Sequence, residues 1–320
     1  MTISICMGIY NGENYIEKQL DSILHQSIAA DEVILCDDCS GDNTVSIVER
    51  FIKINHLEER WKLYQNSENK GYPNNFYYAM NLCTKDLVFL ADQDDVWHEK
   101  KIEMMRDVFE TCPDVKACSC KFGLIDEKGH NIRSIMQPVF SLETGKIKKI
   151  TLEKVFYKCE WPGMVLAYRR EWFGQQMVKW KEKGKNVGDF QVPHDLLVCI
   201  WSAEADGFWQ LDKELAYHRR HDRNAGREEH RLSKVLDKDR KLWEIEQYCR
   251  MLEELRGKWI LCTESGESIL QKKEISMRER YRALYVGRFL TIIGNAWRHR
   301  RIMRIATVVG DILIAGKAKR

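Results

Sequence analysis

Four short apolar runs, Thr2–Ile9, Val33–Cys36, Trp61–Gln65 and Asp86–Ala91, alternate with stretches whose apolar residues recur at helical spacing. Tyr15–Gln26 carries Ile16, Leu20, Ile23 and Leu24, and Thr44–Ile54 carries Val45, Ile47, Val48, Phe51 and Ile52. Phe76–Cys83 is the third such stretch. Strand–helix alternation with short connections implies parallel pairing, so a doubly wound α/β sheet is predicted. Parallel strands share a direction, and the loops that follow them gather on one sheet edge, where α/β proteins place their ligand sites. Here those loops are Tyr10-Asn11-Gly12-Glu13-Asn14, Asp37-Asp38-Cys39-Ser40-Gly41-Asp42 and Asp92-Gln93-Asp94-Asp95. Tyr10, Asp37, Asp38, Asp92 and Asp94 are therefore expected to converge.

The last loop is the most informative. The apolar run Phe89-Leu90-Ala91 ends in three carboxylates within four residues, followed by Val96-Trp97. Buried carboxylates without partners are costly, so this cluster must be solvated or neutralised. A hard divalent cation shared with a phosphate-bearing ligand meets that need. A hydrated acidic turn that caps the next helix is the alternative, and Asp95 is the residue expected to cap it.

Beyond this point Lys100–Cys112 reads as a helix and Val115–Ile125 as a strand. Residues 130–160 read as loop with one short helix, Val165–Tyr168 as a strand and Glu171–Lys181 as a helix. Pro193-His194-Asp195 opens the helix Leu196–Ala203, with Asp195 in its first turn. Leu215–Arg219 is a late strand that runs into Arg220-His221-Asp222-Arg223. From about Leu232 onward the sequence is helical and basic.

The overall charge of +3 is too small to mark a nucleic-acid binder. It conceals an asymmetry. Residues 1–230 hold 30 Lys+Arg and 37 Asp+Glu, net −7, while residues 231–320 hold 21 and 11, net +10. A catalytic domain over 1–230 and a basic α-helical extension over 231–320 are expected. The eleven cysteines show no disulfide-framework spacing and follow no secretory signal, which fits reduced thiols in a cytoplasmic protein. No G-x-G-x-x-G follows the first strand, against a dinucleotide-dependent oxidoreductase. Phe289–Trp297 and the runs around Asp311 are too short to span a bilayer. A helix carrying Leu290, Ile293, Trp297, Arg300, Arg301 and Arg304 would instead suit the interface of an anionic membrane, or pack on the catalytic domain or a partner.

Taken together, Met7-Gly8-Ile9-Tyr10-Asn11-Gly12, Asp37-Asp38-Cys39-Ser40-Gly41-Asp42, Asn69-Lys70-Gly71, Phe89–Trp97, His194-Asp195 and Tyr217-His218-Arg219-Arg220-His221 resemble family 2 glycosyltransferases, in particular the rhamnosyltransferase-like subgroup. The resemblance covers about residues 2–228. It implies a GT-A (Rossmann-like) fold, a mixed, mostly parallel sheet flanked by helices, with the C-terminal helices lying outside the match. It also implies an inverting, metal-dependent transfer of a sugar from a nucleoside diphosphate donor, a dTDP-rhamnose or a UDP-sugar, to a glycan or lipid-linked acceptor. A non-catalytic sugar-nucleotide- or glycan-binding relative of the same fold is the alternative.

By the same resemblance, Tyr10 stacks on the base, Glu13 contacts ribose or base, and Asp38 accepts from a pyrimidine N3–H. Asn75 lies in the donor loop, Asp92 meets ribose or a water on the metal, and Arg220, with Arg219 and Arg223, faces phosphate. Asp94 and His221 ligate Mg2+ or Mn2+. Asp195 is the general base, and Gly163, His194 and Trp97 face the acceptor. Two departures stand out. Gly8 occupies a position where relatives place a hydroxyl residue or alanine, and His194 one that is often acidic. The implied location is cytoplasmic, at the inner face of the plasma membrane.

Overall fold

The computed structural model describes residues 1–132, 145–158, 161–182, 192–221, 237–257, 263–300, 303 and 305–317. By packing the chain forms two units: Met1–Ile150 with Trp161–Arg220, and Thr151–Glu160 with His221–Arg320.

The first unit is built on one mixed sheet. Its strands are β1 (Ile3–Ile9), β2 (Glu32–Asp37), β3 (Trp61–Gln65), β4 (Leu87–Asp92), β5 (Val96–Trp97), β6 (Ala117–Ile125), β7 (Ile147–Lys149), β8 (Leu166–Arg169) and β9 (Phe208–Arg219). Their order is β3-β2-β1-β4-β8-β6-β9-β5, with β7 added on β9. The β1–β2, β1–β4 and β2–β3 pairs are parallel, as the alternation requires. Helices α1 (Ile16–Leu24), α2 (Thr44–Ile54), α3 (Tyr72–Leu82), α4 (Lys101–Thr111), α6 (Arg170–Glu182) and α7 (His194–Glu204) accompany it. The central strands β1 and β4 are buried on both faces, which is why they read as unbroken apolar runs. Helix α1 buries Ile16, Leu20 and Ile23, and α2 buries Val48, Phe51 and Ile52, the residues at helical spacing.

Three elements differ from the local pattern. Helix α3 begins at Tyr72 rather than Phe76, because Pro73 sits in its first turn, where a missing N–H costs nothing. Strand β9 starts at Phe208, seven residues before the predicted Leu215. Asp212-Lys213-Glu214 masks its alternation, and register shifts at Lys121 show where β6 and β9 accommodate the irregularity. Asp95 does not cap α4, whose N-cap residue is Lys100; its partners lie on β9.

The second unit is helical: α5 (Leu152–Lys158), α8 (Lys238–Gly257), α9 (Glu264–Val286), α10 (Phe289–Arg298) and α11 (Ile305–Lys317). Thr263 caps α9 through its hydroxyl, accepting from Gly266 N, and Gly287 in the left-handed region (φ 68°) ends it. Ala283, Ile292 and Ala315 form a small shared core for α9, α10 and α11. Among the described residues no helix is long and apolar enough to cross a membrane. The expected loop residues Asp222 and Arg223, and Arg301 and Arg304 of the basic segment, lie outside the described residues.

Candidate functional site

Strand β1 aligns the acids on its two neighbours. Gly8 pairs with Cys36 of β2 on one side and with Asp92 of β4 on the other, and Ile9 pairs with Asp37. With strands about 4.8 Å apart, Asp37 and Asp92 end their strands on one rim, about 10 Å from each other. Gln93 ties the first loop to the third: Tyr10 N donates to Gln93 Oε1 at 2.9 Å, and Gln93 Nε2 donates to Tyr10 O at 2.9 Å. A Cβ at Gly12 would collide with the Gln93 side chain, so this clamp requires glycine there. The Tyr10 side chain stays 49% exposed at the rim.

Asp38 is buried and organises the loop after β3. It accepts from Asn66 Nδ2 (2.9 Å) and Lys70 N (2.7 Å) on Oδ1, and from Gly71 N (2.9 Å) on Oδ2. A carboxylate has about four acceptor sites, so Oδ2 keeps one for a further donor. Asn75 is buried beneath it, donating to Cys36 O (2.9 Å) and accepting from Asn66 Nδ2 (2.9 Å). The Glu13 carboxylate accepts from Asn43 N (3.1 Å) and Nδ2 (2.8 Å), joining the first loop to the start of α2.

The third loop concentrates charge. Burial, and then the charges of Asp95, Asp94 and Asp195, push Asp92 well above the usual carboxylate range, with His218 opposing. Asp95 is wholly buried; its Oδ1 accepts from His218 Nδ1 (2.9 Å) and from Arg219 N (3.0 Å). Burial raises its pKa despite the His218 bond. Burial works against the charge on His218, yet the bond to Asp95 and the charges of Asp95, Asp94 and Asp92 hold its pKa above the ordinary value. Arg219, also buried, donates through Nε to Asp94 O (2.9 Å) and through Nη1 to Asp126 O and Glu127 O (3.1 Å each). It fixes the backbone of the acidic turn.

The opposite wall comes from an antiparallel strand. Strand β8 runs against β4, Phe89 pairing with Ala167, so the 3-10 turn Gly163–Val165 that precedes β8 stands at the rim where β4 ends. Asp195, at the start of α7, accepts from Leu196 N (2.7 Å). Burial raises its pKa to about 6, against backbone hydrogen bonds that include the Gly163 amide. A carboxylate poised there is a stronger base near neutral pH than an ordinary Asp at about 3.9. A Cβ at Gly163 would press on His194 Nε2 at 3.1 Å. His194 presents no atom to solvent: its ring stacks on Phe76 (3.9 Å between centroids, 10° apart) with Tyr72 and Tyr77 edge-on. Burial lowers its pKa to about 3, so the ring is neutral.

Trp97 is buried as well, against Phe89 (6.2 Å) and under the ammonium of Lys101, 3.4 Å from its ring centroid. Arg220 donates its backbone N–H to Ile125 O (2.8 Å), and its Nε is buried without a partner among the described residues. His221 is buried and belongs to the second unit.

The donor set suits a hard cation that brings its own partners. Among the described residues no three His, Cys, Asp or Glu side chains form a closed metal cage. Three further carboxylates, Asp94, Asp95 and Asp195, do, however, bear on Asp92 and disfavour its charge. Mg2+ and similar ions bind through one or two carboxylates plus substrate phosphates and water.

The profile of the glycosyl transferase family 2 matches residues 4–174, more than half of the chain, and spans every element of this rim before α7. The chain belongs to this family. It is 34% identical over 102 residues to the Escherichia coli UDP-Glc:alpha-D-GlcNAc-diphosphoundecaprenol beta-1,3-glucosyltransferase WfgD, covering 32% of this chain and 38% of that one. It is 25% identical over 225 residues to the Shigella flexneri dTDP-rhamnosyl transferase RfbG, covering 68% and 72%. The chain thus spans little more than a third of the relatives it matches at 34–36% identity. The Staphylococcus aureus TarS fragment 1–349 in complex with UDP shares the fold, with a TM-score of 0.57, 18% identity and coverage of 100% and 91%. The architecture is GT-A.

Three features of this family 2 chain escaped the sequence reading. Lys101 is fully buried; it donates to Met164 O in the turn beside Gly163, and burial lowers its pKa to about 7 against the charges of Cys120, Asp95 and Asp92. In sequence it is one more lysine at the start of a helix. Gln93 lies inside the acidic motif, but its target, the Tyr10 backbone, is 83 residues away. Tyr72 lies edge-on to His194 at 5.5 Å between centroids while staying exposed at the rim.

Proposed function

We propose that this chain is an inverting, metal-dependent glycosyltransferase that moves a sugar from a nucleoside diphosphate to a glycan or lipid-linked acceptor in bacterial surface polysaccharide synthesis. The observation that carries the reading is the placement of Asp195, at about 6, within the electrostatic field of Asp92. One carboxylate is tuned for proton transfer beside others in need of a cation.

Asp94 would ligate Mg2+ or Mn2+ beside Asp92. When bound, the ion supplies positive charge that neutralises the diphosphate leaving group. Asp195 takes the proton of the acceptor hydroxyl as that oxygen bonds to the anomeric carbon. The sugar–phosphate bond breaks with its electron pair on the diphosphate, and one displacement inverts the centre. Tyr10 would stack on the base, with Glu13 near base or ribose. The remaining acceptor site on Asp38 suits a pyrimidine N3–H. That favours dTDP or UDP donors, in keeping with the donors in the names of RfbG and WfgD. Asn75 supports this loop from beneath, and Arg220 would face phosphate. Gly163 admits the acceptor close to the backbone, whereas His194 and Trp97, expected to face the acceptor, are buried and act as packing behind it. A lipid-linked acceptor places the reaction at the cytoplasmic face of the membrane.

Thermal shift against UDP-, dTDP- and GDP-sugars, with and without Mn2+ or Mg2+, tests the donor half. A metal-dependent shift with pyrimidine nucleotides is expected, and none with any nucleotide sinks the reading. If nucleotide binding persists but neither transfer nor slow donor hydrolysis occurs, the chain is a binding relative.

A further inference from the structure

We propose that α10 and α11 form a docking face for an anionic lipid surface. The proposal deepens the lipid-linked acceptor reading, and its place in the reaction rests on that reading. Each helix is amphipathic in an unusual sense, with two apolar faces. One face builds the small core: Ile292 on α10, Ala315 on α11, with Val308 and Ile312 packed against them. The other is left in solvent. On α10, Phe289, Leu290, Ile293 and Trp297 are exposed, Leu290 at 81% and Trp297 at 72%. At about 100° per residue these four fall within an arc of about 100°, opposite Ile292 and Asn295. On α11, Ile305, Val309 and Leu313, spaced by four, are exposed, Ile305 at 81%.

Charge complementarity identifies the occupant. Residues 288–320 contain eight Lys+Arg and a single acid, Asp311. Asp311 is buried, held by Arg280 through two bonds of 2.8 Å, so it contributes no negative charge to the exposed face. Arg298 lies next to the α10 stripe and shares Glu279 with His299 (2.9 Å each). The Arg300 guanidinium lies 5.1 Å from the Trp297 ring. Exposed Trp, Leu and Ile flanked by arginine match the acyl–headgroup boundary of an anionic bilayer, where rings and aliphatic chains leave water while guanidinium groups meet lipid phosphate. A protein partner of ordinary composition would not call for so one-sided a charge.

Co-sedimentation of the full chain with phosphatidylcholine vesicles, with and without phosphatidylglycerol, tests this. Binding is expected only with the anionic lipid and should weaken as salt is added. Leu290→Glu with Trp297→Glu should lower the partition coefficient by about tenfold or more, and Arg298→Gln with Arg300→Gln by several-fold. Circular dichroism and the nucleotide-induced thermal shift of each variant should match the parent, since none of these residues belongs to the proposed active site. Equal binding to neutral vesicles, no binding at all, or undiminished binding by the Glu variants overturns the proposal. So does a dimer in sedimentation velocity that the Glu variant splits, because the face would then be a contact between copies. If the parent shows no nucleotide shift yet binds anionic vesicles, the donor reading falls and the docking face stands.

Discussion

The two units treat buried charge in opposite ways. Among the described residues of the helical unit, the buried ions Asp311, Glu274 and Lys273 each have a counter-ion or an acceptor. Asp311 is gripped by Arg280, Glu274 meets Arg256 and Arg278 at 3.1 Å each, and Lys273 donates to Phe156 O at 2.8 Å. In the sheet unit, Asp92, Asp95 and Asp195 are all held above the usual carboxylate range: burial raises all three, and neighbouring acids add to it at Asp92 and Asp95. Crowded acids of this kind are what the proposed cation and diphosphate would neutralise.

The largest expected effect tests the second half of that contrast. Asp195→Asn should lower kcat by about 10²- to 10⁴-fold, the usual contribution of a positioned general base, while nucleotide-induced thermal shift survives. Full activity in the variant would remove Asp195 from the chemistry. The first half is tested by Asp311→Ala, which leaves the largely buried Arg280 without its partner. Unfolding of the helical unit should become easier by about 3–5 kcal/mol, read by chemical denaturation. A change below about 1 kcal/mol would mean that the pair is no better than a surface bridge.

Asp94→Asn should act in two directions at once. It removes a repelling charge, so the metal-free protein should melt higher than the parent, and it should abolish the metal-dependent nucleotide shift. A lower melting temperature with the nucleotide response intact would contradict the site on both counts.

Acidity gives a subtler separation. Asp195 is ionised only above about 6, so rate should fall as pH drops through that value. For stability, carboxyls raised above their unfolded value of about 3.9 bind extra protons in the folded state, so their penalty grows as pH rises from there through the raised values. His194 has the opposite sign. Held near 3 by burial, it stays neutral while the unfolded chain gains a proton below about 6.5, so its contribution is lost as pH falls. His194→Phe, which keeps a ring against Phe76, should remove that acid-side loss in melts taken between about pH 4 and 7. The smallest effect belongs to Gln93→Ala. Losing two hydrogen bonds to Tyr10 should cost about 1–3 kcal/mol, seen mainly as weaker nucleotide binding.

Local chemistry alone determined much of this protein. An unbroken apolar run must be buried on both faces, and a run that stops at acids must deliver them to a rim. Hence β1 to β4, their helices, and the positions of Asp38, Asp92 and Asp94 were legible in the residues. The tertiary structure decided what depends on distant partners. Strand β9 extends through Asp212-Lys213-Glu214 because β6 lies beside it. The chain passes to the second unit at His221, and Thr151–Glu160 joins that unit from afar. Lys101 became an internal cation only because Met164, 63 residues on, turns its carbonyl inward. Periodicity and propensity act over a few residues, whereas burial, and the charge states that follow from it, are set by whatever the fold brings alongside.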